Sequence, residues 1–396
     1  MTQAATPSIV ILAARRTPIG AFQGVFNSTA GHQLGAAAIK GALAASGLKG
    51  EQIDEVIMGC VLQAGQGQAP ARQAVLGAGL PQSVPTTTVN KVCGSAMKAI
   101  MLACDQLKAG SANVMIAGGF ESMTNAPYLL PKARGGFRMG HGEILDHMFF
   151  DGLQNPYDSK MMGFFADATS AKYGFTREQQ DAFATESVRR AQAAVASGAF
   201  KAEISPVTVK SRKGEQVIEN DETPGACDIS KIPTLKPAFN KDGTVTAASS
   251  SSIADGASAL VLTTAAQASA LNAKPIARVV AYTSHAHQPE WFTTAPSGAI
   301  QKVLDQSGWK VSDVDLFEIN EAFASVTMSA MHDVALPHDK VNVNGGACAL
   351  GHPIGAAGAR IVTTLIHALQ ARGLKRGVAS LCIGGGEATA MAIELV

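Results

Sequence analysis

Neither sign of charge prevails in this chain of 396 residues: 32 lysines and arginines face 31 aspartates and glutamates, a net charge of +1. That balance leaves no overall electrostatic footprint for nucleic acid, although local basic patches stay open. Cysteine is sparse as well. Six, irregularly spaced over so long a chain, do not make the disulfide framework of a small secreted scaffold. No apolar run approaches the ~20 residues that span a bilayer. The opening "MTQAATPSIVILAARRTPIG" has an apolar stretch too short for a secretory signal, followed by Arg15-Arg16. These absences point to a soluble protein of a reducing compartment, the cytoplasm.

What the chain does have is globular: 46% hydrophobic residues, 16% charged and 40 glycines for tight connections. Its length exceeds one ordinary core, so two or three domains are expected. The chain also repeats itself. "IKGALAASGLKGEQIDEVIMG" from Ile39 matches "IQKVLDQSGWKVSDVDLFEIN" from Ile300, an offset of 261 residues. Ser46-Gly47 falls on Ser307-Gly308, Lys49 on Lys310 and Asp54 on Asp315. In both copies a helical apolar period stops at "SG" and a strand follows. More loosely, the stretch around "TTTVNKVCGSAMKAI" parallels "KVNVNGGACALGHPIGAAGAR": strand, glycine-rich turn, long helix, strand, Gly-Gly turn. Two such halves predict packed α/β layers. Between them, about residues 121–246, the chain is rich in Gly, Pro and charge. One amphipathic helix, about "TREQQDAFATESVRRAQAAVASG", interrupts it. This stretch reads as a cover inserted over a ligand, or as an oligomerisation arm.

Four places could carry chemistry. Cys93, in "VNKVCGSAMKAI", sits between a strand-like and a helical run. A thiol at a helix N-terminus is expected to have its pKa lowered; a small buried turn cysteine is the alternative. His352, in "GHPIG", lies in a loop and could accept a thiol proton. It could also be a turn histidine, or join Cys348 in a metal site that lacks the remaining ligands of zinc. Cys382, in "LCIGGGEA", ends a strand beside free backbone N–H groups able to stabilise an oxyanion. Asn320, in "EINEAFASVTMSA", is either a helix N-cap or an amide that fixes a water or acyl oxygen.

"NKVCGSA", "NEAFA", "NGGACALGHPIGAAGAR" and "CIGGGEA", in that order, resemble the thiolase family, and within it the acetyl-CoA acetyltransferases. The likeness runs from "ARRTPIGAFQG" to the C-terminus. It implies an α-β-α-β-α layered fold with an inserted loop domain. Residues 1–120 with 247–273 would form the half bearing the nucleophile, 121–246 the loop domain, and 274–396 the other half. It implies that Cys93 accepts the acyl group, with His352 as its base. Cys382 would be the acid/base for the second acyl-CoA, and Asn320 the holder of a water that steadies the enolate. The N–H groups of Cys93 and Gly384 would form the oxyanion hole.

For coenzyme A, the implied positions are Leu153, Met162, Phe239, Ala247, Ser251, Ala322 and Phe323. No metal or further cofactor is implied, coenzyme A being substrate and product. The implied reaction joins two acetyl-CoA to acetoacetyl-CoA and CoA. A broader 3-ketoacyl-CoA thiolase is the alternative, and Phe292, expected near the acyl pocket, argues for short chains. A ketoacyl synthase would carry a second histidine in place of Cys382. A Cys-His hydrolase would leave that thiol idle, and a non-catalytic CoA binder would not need the four motifs. A homotetramer is implied, built through "MTNAPYLLPKARGGFRMG". Three departures bear on CoA affinity and on any monovalent-cation site. Met161 stands where the family's "HMG" has histidine, Gly225 near a frequent arginine, and Ser249 where asparagine is common.

Overall fold

The computed structural model describes residues 7–211 and 214–396; of the N-terminal segment read above, residues 1–6 lie outside it. Nine strands carry the fold: β1 (Ile9–Arg16), β2 (Glu55–Gly59), β3 (Thr86–Val89), β4 (Val114–Ser122), β5 (Ala254–Thr264), β6 (Ala277–Ala286), β7 (Leu316–Ile319), β8 (Arg376–Ile383) and β9 (Glu387–Leu395). Their order is β7-β8-β9-β6-β1-β5-β4-β2-β3, with the two-residue strand Gly20–Ala21 paired on β5.

The order is a mirror about its centre. There β1 and β6 pair antiparallel over only Ile9–Ile11 against Ala277–Val279. On one side β5 and β4 are antiparallel and β2 runs parallel to β4. On the other, β9 and β8 are antiparallel and β7 runs parallel to β8. Even β3, parallel to β2, has a vestigial counterpart in the parallel bridge of Val341 to Phe317.

Among the described residues, the helices longer than eight residues are α1 (Gly31–Ser46), α2 (Ser95–Ala109), α3 (Met162–Tyr173), α4 (Arg177–Ser197), α5 (Ala295–Ser307), α6 (Ala324–Val334) and α7 (Ala357–Arg372). Because strand side chains alternate faces, each strand serves two cores. Ile9 and Ile11 of β1 join Met115 of β4 and Met391 and Ile393 of β9 in the central core around α2 and α7. Val10 and Leu12 face a second core with α1, and Ala390 and Ala392 a third with α5. The layers are therefore α-β-α-β-α, as expected. Helix α7 is buried almost all round, including Ile361, Thr364, Leu365 and Ala368, as a central helix must be. It starts against the start of α2, where a Cβ on Gly358 would come within 2.5 Å of Met97 N.

The 261-residue repeat is real in three dimensions. α1 and α5 end at Gly47 and Gly308, both left-handed, with φ of 72° and 69°. The amphipathic helix expected in the insert is α4, opened by Thr176 accepting from Gln179 N and closed by Gly198 at φ 75°.

Candidate active site

After β3 the chain makes a tight turn. Asn90 Oδ1 accepts from Val92 N at 2.8 Å, while Ser95 Oγ accepts from Lys91 N at 2.9 Å and donates to Val92 O at 2.6 Å. Together these bonds hold Val92 at φ 47°, a costly place for a β-branched residue. Cys93 follows, on the wall of a cavity and one residue before the Gly94 that caps α2.

The expectation of a lowered thiol pKa fails. Burial pushes Cys93 up to about 11, outweighing the backbone N–H groups of Gly384 and of Cys93 itself, which favour the thiolate; the charge of Glu121 adds to the rise. Cys93 stands ahead of the helix cap rather than in its first turn, so the unliganded residue is a thiol.

The other half supplies the remaining groups through loops at its equivalent strand and helix ends. His352 follows the short helix Ala347–Leu350 and precedes α7, and its N–H donates to Ser252 O at 3.0 Å. Burial, and then the nearby Arg360 cation, lower the imidazole to about 3, so it is a neutral ring ready to accept a proton. Cys348 is engaged elsewhere: its N–H donates to Glu321 Oε2 at 3.1 Å and its Sγ lies 3.8 Å from Glu321 O.

Asn320 follows β7 directly. Its Nδ2 lies 3.4 Å from His352 Nε2 and 3.5 Å from Nδ1, and Arg360 Nη2 donates to its Oδ1 at 3.3 Å. The N-cap alternative is excluded, because α6 begins at Ala324 with Phe323 as its cap. Cys382, the penultimate residue of β8, is buried, and burial raises its thiol pKa well above the ordinary value, the neighbouring Cys93 adding to the rise.

Cys93, His352, Cys382 and Gly384 line one cavity of about 370 Å³. All seven positions expected for coenzyme A line it too: Leu153, Met162, Phe239, Ala247, Ser251, Ala322 and Phe323. Phe292 and Met161 are on its wall, Phe292 edge-on to Phe165 at 6.2 Å. Asn320 is not on the wall; it is fully buried, with its amide beside the His352 ring. Gly225 lies in the short helix Glu222–Ala226, off the cavity wall, and Ser249 is buried, its Oγ accepting from Thr246 N at 2.8 Å.

Sequence reasoning passed over Met123, Phe149, Ser250 and Ile354, which also line the cavity. It also passed over Glu121, whose carboxylate accepts from Val61 N (3.0 Å), Leu62 N (3.1 Å) and Gly355 N (2.9 Å). Glu121 thus ties the loop of His352 to the opposite half. No local spacing in the sequence shows a carboxylate bridging loops so distant from one another.

Two thiols and a neutral imidazole in an apolar cavity, with N–H donors at one sulfur, can form and break a thioester and move a carbon-bound proton. Known proteins agree with this composition. The description "Thiolase, N-terminal domain" matches residues 9–266 and "Thiolase, C-terminal domain" residues 273–395. An acetyl-CoA acetyltransferase of Allochromatium vinosum is 48% identical over 98% of this chain and 99% of its own. One from Escherichia coli K12 is 48% identical over 97% and 98%. The crystal structure of the Bacillus anthracis acetyl-CoA acetyltransferase superposes with a TM-score of 0.96 at 41% identity, covering 99% of this chain and all of that one. With both domain descriptions matched across nearly its whole length and the layered fold reproduced, the chain belongs to the thiolase family.

Proposed function

We propose that the protein is an acetyl-CoA C-acetyltransferase, joining two acetyl-CoA reversibly into acetoacetyl-CoA and CoA. The observation that carries this is the meeting of Cys93, His352, Cys382 and the Gly384 N–H, from both halves, on one cavity. In the first step Cys93 attacks the acetyl-CoA carbonyl as its proton passes to His352. A thiol near 11 and an imidazole near 3 do not exchange a proton at rest. Transfer therefore accompanies attack, and the negative charge grows on the acyl oxygen under the N–H groups of Cys93 and Gly384. The bond to the CoA sulfur breaks, that sulfur takes the proton of the Cys382 thiol, and acetyl-Cys93 remains with Cys382 left as thiolate and His352 holding the proton from Cys93.

In the second step Cys382, as thiolate, removes a proton from the methyl carbon of another acetyl-CoA. The enolate oxygen is met by His352 and by a water held by Asn320. The carbon then attacks acetyl-Cys93, a C–C bond forms, the C–S bond breaks, and the Cys93 sulfur recovers its proton. The cavity is apolar around these groups, which strengthens each charge interaction. Coenzyme A would lie along Leu153, Met162, Phe239, Ala247, Ser251, Ala322 and Phe323, with the 121–246 insert as its cover. It is substrate and product, and the scheme needs no other cofactor.

Phe292 on the wall favours the acetyl group over the longer chains of a 3-ketoacyl-CoA thiolase. Tyr128, Leu130, Phe137 and Met139 are exposed apolar residues on the 128–139 stretch and support assembly as a homotetramer through it, which light scattering tests. A cytoplasmic location is part of the same reading; no helix among the described residues is long and apolar enough to cross a membrane. The deciding experiment mixes the protein with acetoacetyl-CoA and CoA and follows loss of the β-ketothioester absorbance. Cleavage of 3-ketohexadecanoyl-CoA without cleavage of acetoacetyl-CoA would overturn the short-chain reading.

A further inference from the structure

The Gly384 N–H and the Cys93 sulfur belong to different halves, and Gly384 itself has few neighbours in the turn that carries it. A Cβ on Gly384 would have only Met162 Sδ at 3.7 Å and Val92 Cγ1 at 3.8 Å within contact, and one on Gly385 nothing within 4 Å. Gly385 and Gly386 adopt φ of 93° and 90°, which glycine takes readily; a Cβ on Gly386 would overlap His287 O, so the turn is packed at that end and open at Gly384 and Gly385. Beyond the β8–β9 pairing, Gly386 O accepts from His287 N at 2.8 Å.

Glu387 is the first side chain after this turn, and it crosses to the other half. Its Oε2 accepts from Lys91 Nζ, two residues before Cys93. The Lys91 end is firm, because its own N–H is fixed on Ser95 Oγ at 2.9 Å. The two turns also interlock: a Cβ on Gly94 would overlap Ile383 Cδ1.

We propose that Lys91 and Glu387 are positioning residues for acyl transfer, their ion pair holding the glycine turn so that the Gly384 N–H stays on the Cys93 sulfur. This rests on the acyltransferase reading above. Lys91 acts through the turn, its ammonium being engaged by Glu387. The two side chains are 23% and 35% exposed, so the pair adds little to stability and variants lacking it are expected to fold. Its value is alignment, and a shift of about 1 Å in a catalytic group costs about 10²-fold.

The test compares Lys91→Met, Glu387→Gln and the double variant with the wild type. Two rates are read by mass spectrometry: single-turnover acetylation of Cys93 by acetyl-CoA, and alkylation of Cys93 by iodoacetamide at pH 8. Each single variant is expected to acetylate about tenfold more slowly, with KM for acetyl-CoA changed by less than about twofold. Alkylation slows as well, because the thiolate loses a donor. The double variant is no worse than either single one, and Lys91→Arg keeps the wild-type rates. Additive losses, or an unchanged alkylation rate, overturn the proposal. A wild type that acetoacetyl-CoA and acetyl-CoA leave untouched refutes the acyltransferase reading instead, and the alkylation rates then decide the ion pair alone.

Discussion

Asp54 in the first half and Asp315 in the second occupy matching places and make matching bonds. Asp54 Oδ2 accepts from Asn113 N at 2.6 Å and Val114 N at 3.0 Å; Asp315 Oδ2 accepts from Lys375 N at 2.9 Å and Arg376 N at 2.8 Å. In both, the aspartate fixes the start of the strand beside it. The likeness ends at the opposite ends of those strands. β4 ends near Glu121, a buried carboxylate used as a staple, whereas β8 ends at Cys382 and Ile383 and opens into glycines. Ahead of α2 stands Cys93 behind a strained Val92; ahead of α7 stand His352 and Pro353. A scaffold used twice stays alike where it only holds strands in register, and differs where its turns face the shared cavity.

The sharpest way to break the comparison is to remove one thiol from each half. Cys93→Ala is expected to lower acetoacetyl-CoA thiolysis by more than about 10⁴-fold and to abolish the acetyl adduct seen in intact mass. Cys382→Ala should keep the adduct yet lose turnover by about 10²–10⁴-fold, since it removes a proton-transfer group and not the nucleophile. If both variants lose the adduct, the division of labour between halves is wrong.

How much of this was legible in the sequence follows the same line. The repeat was readable because helix stops at Gly47 and Gly308 and the aspartates beside them are local signals. The seven expected CoA positions and the Cys–His–Cys set rested on the family resemblance, and all of them line the cavity, whereas Asn320, expected with them, does not. The thiol pKa was misjudged because a helix-end argument is local, whereas desolvation depends on everything packed around the sulfur. Glu121 reaching Gly355 and Lys91 reaching Glu387 were unreadable for the same reason: each joins the two halves, and no short-range pattern encodes such a contact.

Next in size are two substitutions that rotate the pH dependence of stability in opposite directions. Glu121 is raised by burial to about 7 in the folded protein, against an unfolded carboxyl near 4.3. Between these values the folded state holds the extra proton, so this group's contribution is present below about 4.3 and lost as pH rises to about 7. His352 is lowered to about 3 against an unfolded value near 6.5. There the unfolded chain holds the extra proton, so stability falls as pH drops from about 6.5 toward 3.

Urea unfolding at several pH values should therefore show two different flattenings. Glu121→Gln removes the loss between about pH 4.3 and 7, and His352→Asn removes the fall on the acid side. Glu121→Gln also carries an offset of about 1–3 kcal/mol at every pH, because an amide cannot accept all three N–H groups the carboxylate serves. The same rotation in both variants would mean that the two halves are not electrostatically opposed.

The smallest effect tests the likeness itself. Asp54→Ala and Asp315→Ala each free two strand-starting N–H groups, and each is expected to cost about 0.5–1.5 kcal/mol per lost bond at most. Asp54 is exposed and Asp315 half-buried, so water replaces the first carboxylate more readily and Asp315→Ala should be the costlier by a small margin. Neither aspartate lines the cavity, so the Cys93 acetylation rate of both variants should stay at the wild-type value. The two sites share no partner, so the double variant should show the sum of the two losses. A large excess over that sum would mean that the halves are coupled through their strand starts as well as through the cavity, and that matching geometry conceals a dependence between them.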